Sequence, residues 1–227
     1  MADRRPRCRA AATAPAGPAA TRSSEHVRVV HTPGSWELRP VSSPGAIGLV
    51  FLPGALVDPR AYLPLLRPLA ERGVTVVVPA PPLGLAFADP GAVSRMVTDR
   101  AEIRSWVVGG HSLGGVAAAS AVDVPGARGL LLWASYPAGD ISSAQVAVLS
   151  VSGERDGLTT PDDIARTRPL LPSDTRVRAG SGRDARVLRR LRPQHGDGEP
   201  GTDRGSAARR IVDTTVRFVQ NLRVRPG

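Results

Sequence analysis

In the middle of the chain, Gly110-His111-Ser112-Leu113-Gly114 sets a serine between two glycines. An apolar run, Trp106-Val107-Val108, comes directly before it, and a small-residue run, Gly115-Val116-Ala117, directly after. That context reads as strand, sharp turn and helix. A serine on such a turn must take strained backbone angles, and flanking glycines remove the side chains that would collide with it. Its hydroxyl then projects at a helix N-terminus, where backbone N–H groups and the helix dipole favour a developing anion. This is the chemistry of a nucleophile that attacks a carbonyl. The plainer alternative is a glycine-rich turn in which Ser112 caps the helix through its hydroxyl.

A serine so placed needs a rigid frame, and the patterning supplies one. His26–Val30 and Ser35–Arg39 read as short strands around a Pro33-Gly34 turn. Ile47–Leu52 and Val74–Val78 are continuous apolar runs, the pattern of strands buried on both faces. Arg104–Val108, Gly129–Ala134, Gln145–Ser150 and Thr175–Arg178 read as further strands. Between them, Ala61–Arg72, Pro90–Arg100, Leu113–Val122 and Pro161–Leu171 carry helical spacing, and Arg209–Leu222 is a final amphipathic helix. Alternation of this kind predicts an α/β fold, a mostly parallel central sheet with helices on both faces. Residues 1–24 are Arg, Ala, Pro and Ser without period and are expected to form a disordered tail before a single domain over residues 25–227.

With the elbow in place, residues 27–222 resemble the α/β-hydrolase superfamily, specifically its compact, uncapped bacterial members. The resemblance also rests on Gly48-Leu49-Val50-Phe51-Leu52-Pro53-Gly54-Ala55 and on Val57-Asp58-Pro59-Arg60-Ala61-Tyr62. Two later segments share it, Ala134-Ser135-Tyr136-Pro137-Ala138 and Val151-Ser152-Gly153-Glu154-Arg155-Asp156-Gly157. It implies a serine hydrolase acting on a small carboxylic ester or related acyl substrate through a Ser-His-Asp triad. It further implies an oxyanion hole made by the N–H of Leu113 and one from the loop after Leu52. Pro53 has no N–H, so Ala55 is the choice there. Asp156 fits the triad acid, after the strand ending at Val151 and a Ser152-Gly153 turn; Glu154, Asp162 and Asp163 are alternatives. Asp162 and Asp163 read better as first-turn helix acids.

The base is where the chain departs from its relatives. They carry His-Ala and then Phe-Gly-Asp-Tyr-Gly after the last strand; this chain has Gly180-Ser181-Gly182-Arg183-Asp184 and then Ala185–Arg192, without histidine. Ala185–Arg192 can be encoded as GCA CGC GTC CTT CGG CGA CTA CGG. One base later the same string reads CAC GCG TCC TTC GGC GAC TAC, which is His-Ala-Ser-Phe-Gly-Asp-Tyr. The only histidine after Ser112 is His195, about ten residues late. Either the segment is frame-shifted and the base is missing, or His195 folds back to serve as base, or the Arg-rich stretch is an anion-binding element. A missing base would make the chain an impaired or non-catalytic member of the fold.

Composition narrows the remaining classes. All 30 basic residues are Arg, against 20 acidic ones, for a net charge of +10. Basic balance suggests nucleic acid, but only 3 Phe, 3 Trp and 2 Tyr are available to stack on bases. An enzyme with a small-molecule acyl substrate is the stronger reading, and nucleic acid is not expected as a partner. No run is long enough to span a membrane. The segment after the first Arg cluster is broken by Pro15 and Pro18 and fails as an apolar export signal, which places the chain in the cytoplasm unless translation starts elsewhere. With a single cysteine, Cys8, there is no disulfide framework; neither a metal nor a cofactor is called for.

Overall fold

The computed structural model describes residues 18–42, 45–153, 159–180 and 204–223. An eight-stranded sheet runs through them in the order β1-β2-β4-β3-β5-β6-β7-β8. Strands β1 (Val27–Thr32) and β2 (Ser35–Pro40) form an antiparallel hairpin, and β2 also runs antiparallel to β4 (Thr75–Pro79). The rest is parallel: β3 (Ile47–Leu52) lies between β4 and β5 (Ser105–His111), followed by β6 (Ala127–Trp133), β7 (Ala147–Gly153) and β8 (Arg176–Gly180). The chain enters the parallel part at β3, steps to β4 on one side, and then runs outward from β5 to β8 on the other.

Strand side chains alternate between two cores, which is why these runs are apolar throughout. Leu49, Phe51, Val107, Leu131, Trp133, Leu149 and Val151 face one side. Helices α1 (Leu63–Ala70) and α5 (Arg204–Arg223) cover it, α5 through Ile211, Val212, Val216, Phe218 and Val219. Val50, Leu52, Trp106, Val108, Leu130, Leu132 and Val148 face the other side, under α2 (Ala92–Thr98) and α3 (Leu113–Ala119). Helix α4 (Pro161–Thr167) follows β7. One polar clasp fastens α5: Trp133 Nε1 donates to Thr215 Oγ1 at 3.3 Å, and both side chains are buried.

Boundaries differ from the sequence reading where small residues extend an element or proline interrupts it. The helix expected over Ala61–Arg72 begins as a 3-10 turn, Pro59–Tyr62, capped by Asp58. Strand β7 continues through Ser152 and Gly153, which had read as a turn; both Ser150 and Ser152 are buried within the sheet. No helix lies between β6 and β7 among the described residues, and no described helix is long and apolar enough to cross a membrane.

Glu37 is a carboxylate at 3% exposure, in β2 between two strands. Arg39 Nε meets its Oε1 at 2.9 Å, and Arg100, from beyond the end of α2, meets its Oε2 at 3.0 Å. Burial raises the carboxyl's pKa, but bonds from Arg39 and then Arg100 outweigh it and hold the group below its ordinary 4.5. The cluster therefore stabilises the fold above about pH 4.5, and that stability is lost as pH falls through the lowered folded value. Glu37→Gln, which strands Arg100 beside a neutral amide, is expected to cost about 3 kcal/mol at pH 7. Melting curves of both proteins from pH 7 to 3 should converge toward the acid end; parallel curves would refute the linkage.

Candidate functional site

Ser112 sits between the last residue of β5 and the first of α3 with φ 50° and ψ −126°. For an L-residue this left-handed φ is strained and must be held by its surroundings. The hold is visible on both sides of the peptide. Ser112 N–H donates to the Trp133 carbonyl at 2.9 Å, and the Ser112 carbonyl accepts from Ser135 Oγ at 2.8 Å as well as from the N–H groups of Gly115 and Val116. Ser135 is placed by Ala134, itself at φ 44°, whose carbonyl accepts from the buried Thr159 hydroxyl at 2.9 Å.

The two glycines of the motif are set by contact with backbone. A Cβ on Gly110 would lie 2.4 Å from the Gly114 carbonyl carbon. One on Gly114 would lie 2.3 Å from the carbonyl oxygens of both Leu52 and Pro53. Helix α3 thus starts almost in contact with the end of β3, which only glycine permits. The Ser112 hydroxyl makes no capping bond to α3. That disfavours the plainer alternative of a helix cap and leaves the hydroxyl, on a half-buried residue, at the helix start. The N–H of Leu113 opens α3 and so has no acceptor within the helix.

Leu113 follows Ser112 as the first residue of α3, and Ala55 lies in the loop after β3. Leu52 is paired with Gly110 at the ends of β3 and β5, so the loop carrying Gly54 and Ala55 leaves the sheet beside the elbow. Gly54 N–H donates to Tyr62 Oη at 2.9 Å, and that hydroxyl is 2.9 Å from His111 Nδ1. Both side chains are buried. Burial pushes the Tyr62 phenol up and pushes the His111 imidazole down to about 4, so both are neutral near pH 7. His111 thus points away from the serine and into a hydrogen bond. Sequence alone gives Tyr62 no role of its own; its polar tip inside an apolar cluster is the available signal.

Asp156, with the alternative Glu154, and His195 lie outside the described residues. The strands that precede them do not: Gly153 of β7 pairs with Gly180 of β8, and Val151, Trp133 and His111 stand in register across β7, β6 and β5. Strands β7 and β8 therefore end at the sheet edge that carries Ser112. Asp163 is committed elsewhere, in a capping box with Thr160 and an ion pair with Arg166. Asp162 is an exposed residue of the same first turn.

The connections after β3, β4 and β5 expose large apolar side chains. Leu56, Leu83, Phe87 and Leu113 are 48%, 82%, 48% and 38% exposed. Leu56 and Leu83 have φ of 59° and 56°, and Leu56 N–H donates to the Gly84 carbonyl at 2.8 Å, stapling two of these loops together. The turn carrying Phe87 packs on α3. Two leucines held in strained backbone with their side chains toward water contribute little to folding.

A family model described as "Alpha/beta hydrolase family" matches residues 48–206. None of the curated proteins matches the chain in sequence. Among solved structures, the esterase domain of a Rhodothermus marinus protein is similar, with a TM-score of 0.62 at 14% identity over 86% of this chain and 98% of that one. Thermogutta terrifontis esterase 2, in its form phosphoramylated by tabun, gives 0.60 at 14% identity over 88% of this chain and 96% of that one. Carboxyl esterase 2 of the fungus Tuber melanosporum gives 0.60 at 14% identity over 88% and 87%.

Proposed function

The chain belongs to the alpha/beta hydrolase family, and we propose that it is a serine hydrolase of small carboxylic esters or related acyl compounds. The observation that carries this reading is Ser112: a strained serine at a strand-to-helix junction, with its hydroxyl left out of the helix cap. In this reading Ser112 Oγ attacks the acyl carbon while a histidine takes its proton. Asp156 accepts that histidine's other N–H and fixes its tautomer, and the N–H groups of Leu113 and Ala55 hold the oxyanion. The intermediate collapses as the histidine gives that proton to the departing alcohol, and the resulting acyl-enzyme is hydrolysed by water activated by the same histidine. Leu56, Leu83 and Phe87 offer an apolar surface for the acyl or alcohol part of the ester, and the connection between β6 and β7 supplies no described helix to cover it. Similar folds among esterases, one of them modified by an organophosphorus compound, support the choice of reaction class.

A second reading has its own observation. The segment after β8 carries no histidine before His195, so the chain as it stands is a hydrolase scaffold with an impaired triad if His195 does not reach Ser112. The two readings share the elbow and differ in turnover. A fluorophosphonate probe is expected to label the chain at Ser112, and Ser112→Ala to abolish labelling, with peptide mapping as the measurement. Slow labelling fits the impaired reading, because the oxyanion donors and helix dipole remain; labelling at another serine with Ser112 untouched would refute both.

A further inference from the structure

Two loops must hold their donors a fixed distance apart if an oxyanion is to sit between them, and the sheet stops pairing at Leu52 and Gly110, before either donor is reached. What joins the loops beyond that point is a three-group relay. Gly54 N–H donates to Tyr62 Oη at 2.9 Å, and Tyr62 Oη contacts His111 Nδ1 at 2.9 Å. The phenol has one hydrogen. Its oxygen accepts from Gly54 and keeps a second lone pair, so the contact closes either with O–H donating to Nδ1 or with Nδ1–H donating to the oxygen; the relay takes the first, which puts the imidazole proton on Nε2. Steric evidence agrees: a Cβ at residue 54 would lie 2.8 Å from His111 Nδ1 and 3.3 Å from Tyr62 Oη, so the imidazole fits only against glycine.

Tyr62 closes its own loop, reaching back eight residues from the 3-10 turn Pro59–Tyr62. His111 then ties that closed loop to the elbow. Gly54 is directly followed by Ala55, and His111 by Ser112 and Leu113. The ring of Tyr62 is anchored separately, against Phe51 at 5.2 Å between centroids, so packing and hydrogen bonding can be removed one at a time. We propose that Tyr62 and His111 are positioning residues that set the spacing between the Ala55 and Leu113 donors through the Gly54–Tyr62–His111 hydrogen-bond relay. This rests on the reading of Ser112 as nucleophile, and it assigns work to the residue beside the nucleophile that does not involve proton transfer from it.

Three variants separate position from packing. Tyr62→Phe keeps the ring and removes the O–H. His111→Leu removes the acceptor. His111→Asn restores an acceptor, because its Oδ1 stands the same two bonds from Cβ as Nδ1 does. Fluorophosphonate labelling of Ser112, measured below each variant's melting transition, is expected to slow at least ~10-fold in Tyr62→Phe and His111→Leu. The loss should fall on the maximal rate rather than on half-saturation, and His111→Asn should recover most of it. A structural role alone would lower melting temperature in all three and leave the labelling rate of folded protein unchanged, which would overturn the proposal. Nitrogen NMR of His111 in the wild type reads the relay independently: the Nε2–H tautomer with an accepting Nδ1 is expected, and the opposite tautomer overturns it. Wild-type protein that shows the tautomer but is not labelled at Ser112 would instead refute the nucleophile reading and the donor role with it.

Discussion

Replacing residues 185–191 by His-Ala-Ser-Phe-Gly-Asp-Tyr is expected to raise the rate of short p-nitrophenyl ester hydrolysis on the order of 10³-fold over the chain as it stands. A serine hydroxyl is a poor nucleophile unless a base takes its proton in the transition state. Without one, only the oxyanion donors, the helix dipole and substrate positioning remain. His111 cannot substitute, since it is buried and its Nδ1 is engaged by Tyr62. The replaced segment begins five residues after β8, whose end at Gly180 stands beside Gly153 at the sheet edge that carries Ser112. Equal rates in both proteins, together with loss of activity in His195→Ala, would make His195 the base and refute the frame-shift account. Nucleotide sequence across codons 176–200 tests the same account without any assay.

Much of the frame could be read without coordinates, for a physical reason. Strands β3 and β4 are buried along their whole length, so their apolar runs are unbroken and cannot be mistaken for exposed loops. The elbow was legible because its glycines answer to backbone contacts that no other residue allows. What escaped were groups whose signal is a single polar atom. Tyr62 reads as one aromatic among apolar neighbours until its hydroxyl is seen against Gly54 and His111. Glu37 reads as an ordinary strand residue beside Arg39, because its second arginine, Arg100, is 63 residues away in sequence. Strand ends were misjudged where serine carries the strand onward, as at Ser152 in β7. Asp156 follows from order along the chain and from the resemblance, and His195 from being the one histidine after Ser112.

Gly114→Ala is expected to be the most disruptive single-methyl change in the described fold. The added carbon would stand 2.3 Å from two carbonyl oxygens, those of Leu52 and Pro53, and 2.7 Å from the Pro53 carbonyl carbon. None of these is the tip of a flexible side chain; all belong to backbone at the end of a central strand. Helix α3 must therefore move away from β3, carrying Leu113 and the strained Ser112 with it. Overpacking of this kind costs about 3 kcal/mol. For a domain of this size that corresponds to a melting point lower by roughly 6 to 12 °C. Displacing a reacting group by about 1 Å costs on the order of 10²-fold in rate, so folded Gly114→Ala should label at Ser112 about 100-fold more slowly. Gly139→Ala is the matched control, because nothing lies within 4 Å of a Cβ there, and it should be neutral in both measurements. If Gly114→Ala melts and labels like the wild type, helix α3 does not rest on the β3 loop, and the close approach that aims Ser112 is not what holds the elbow.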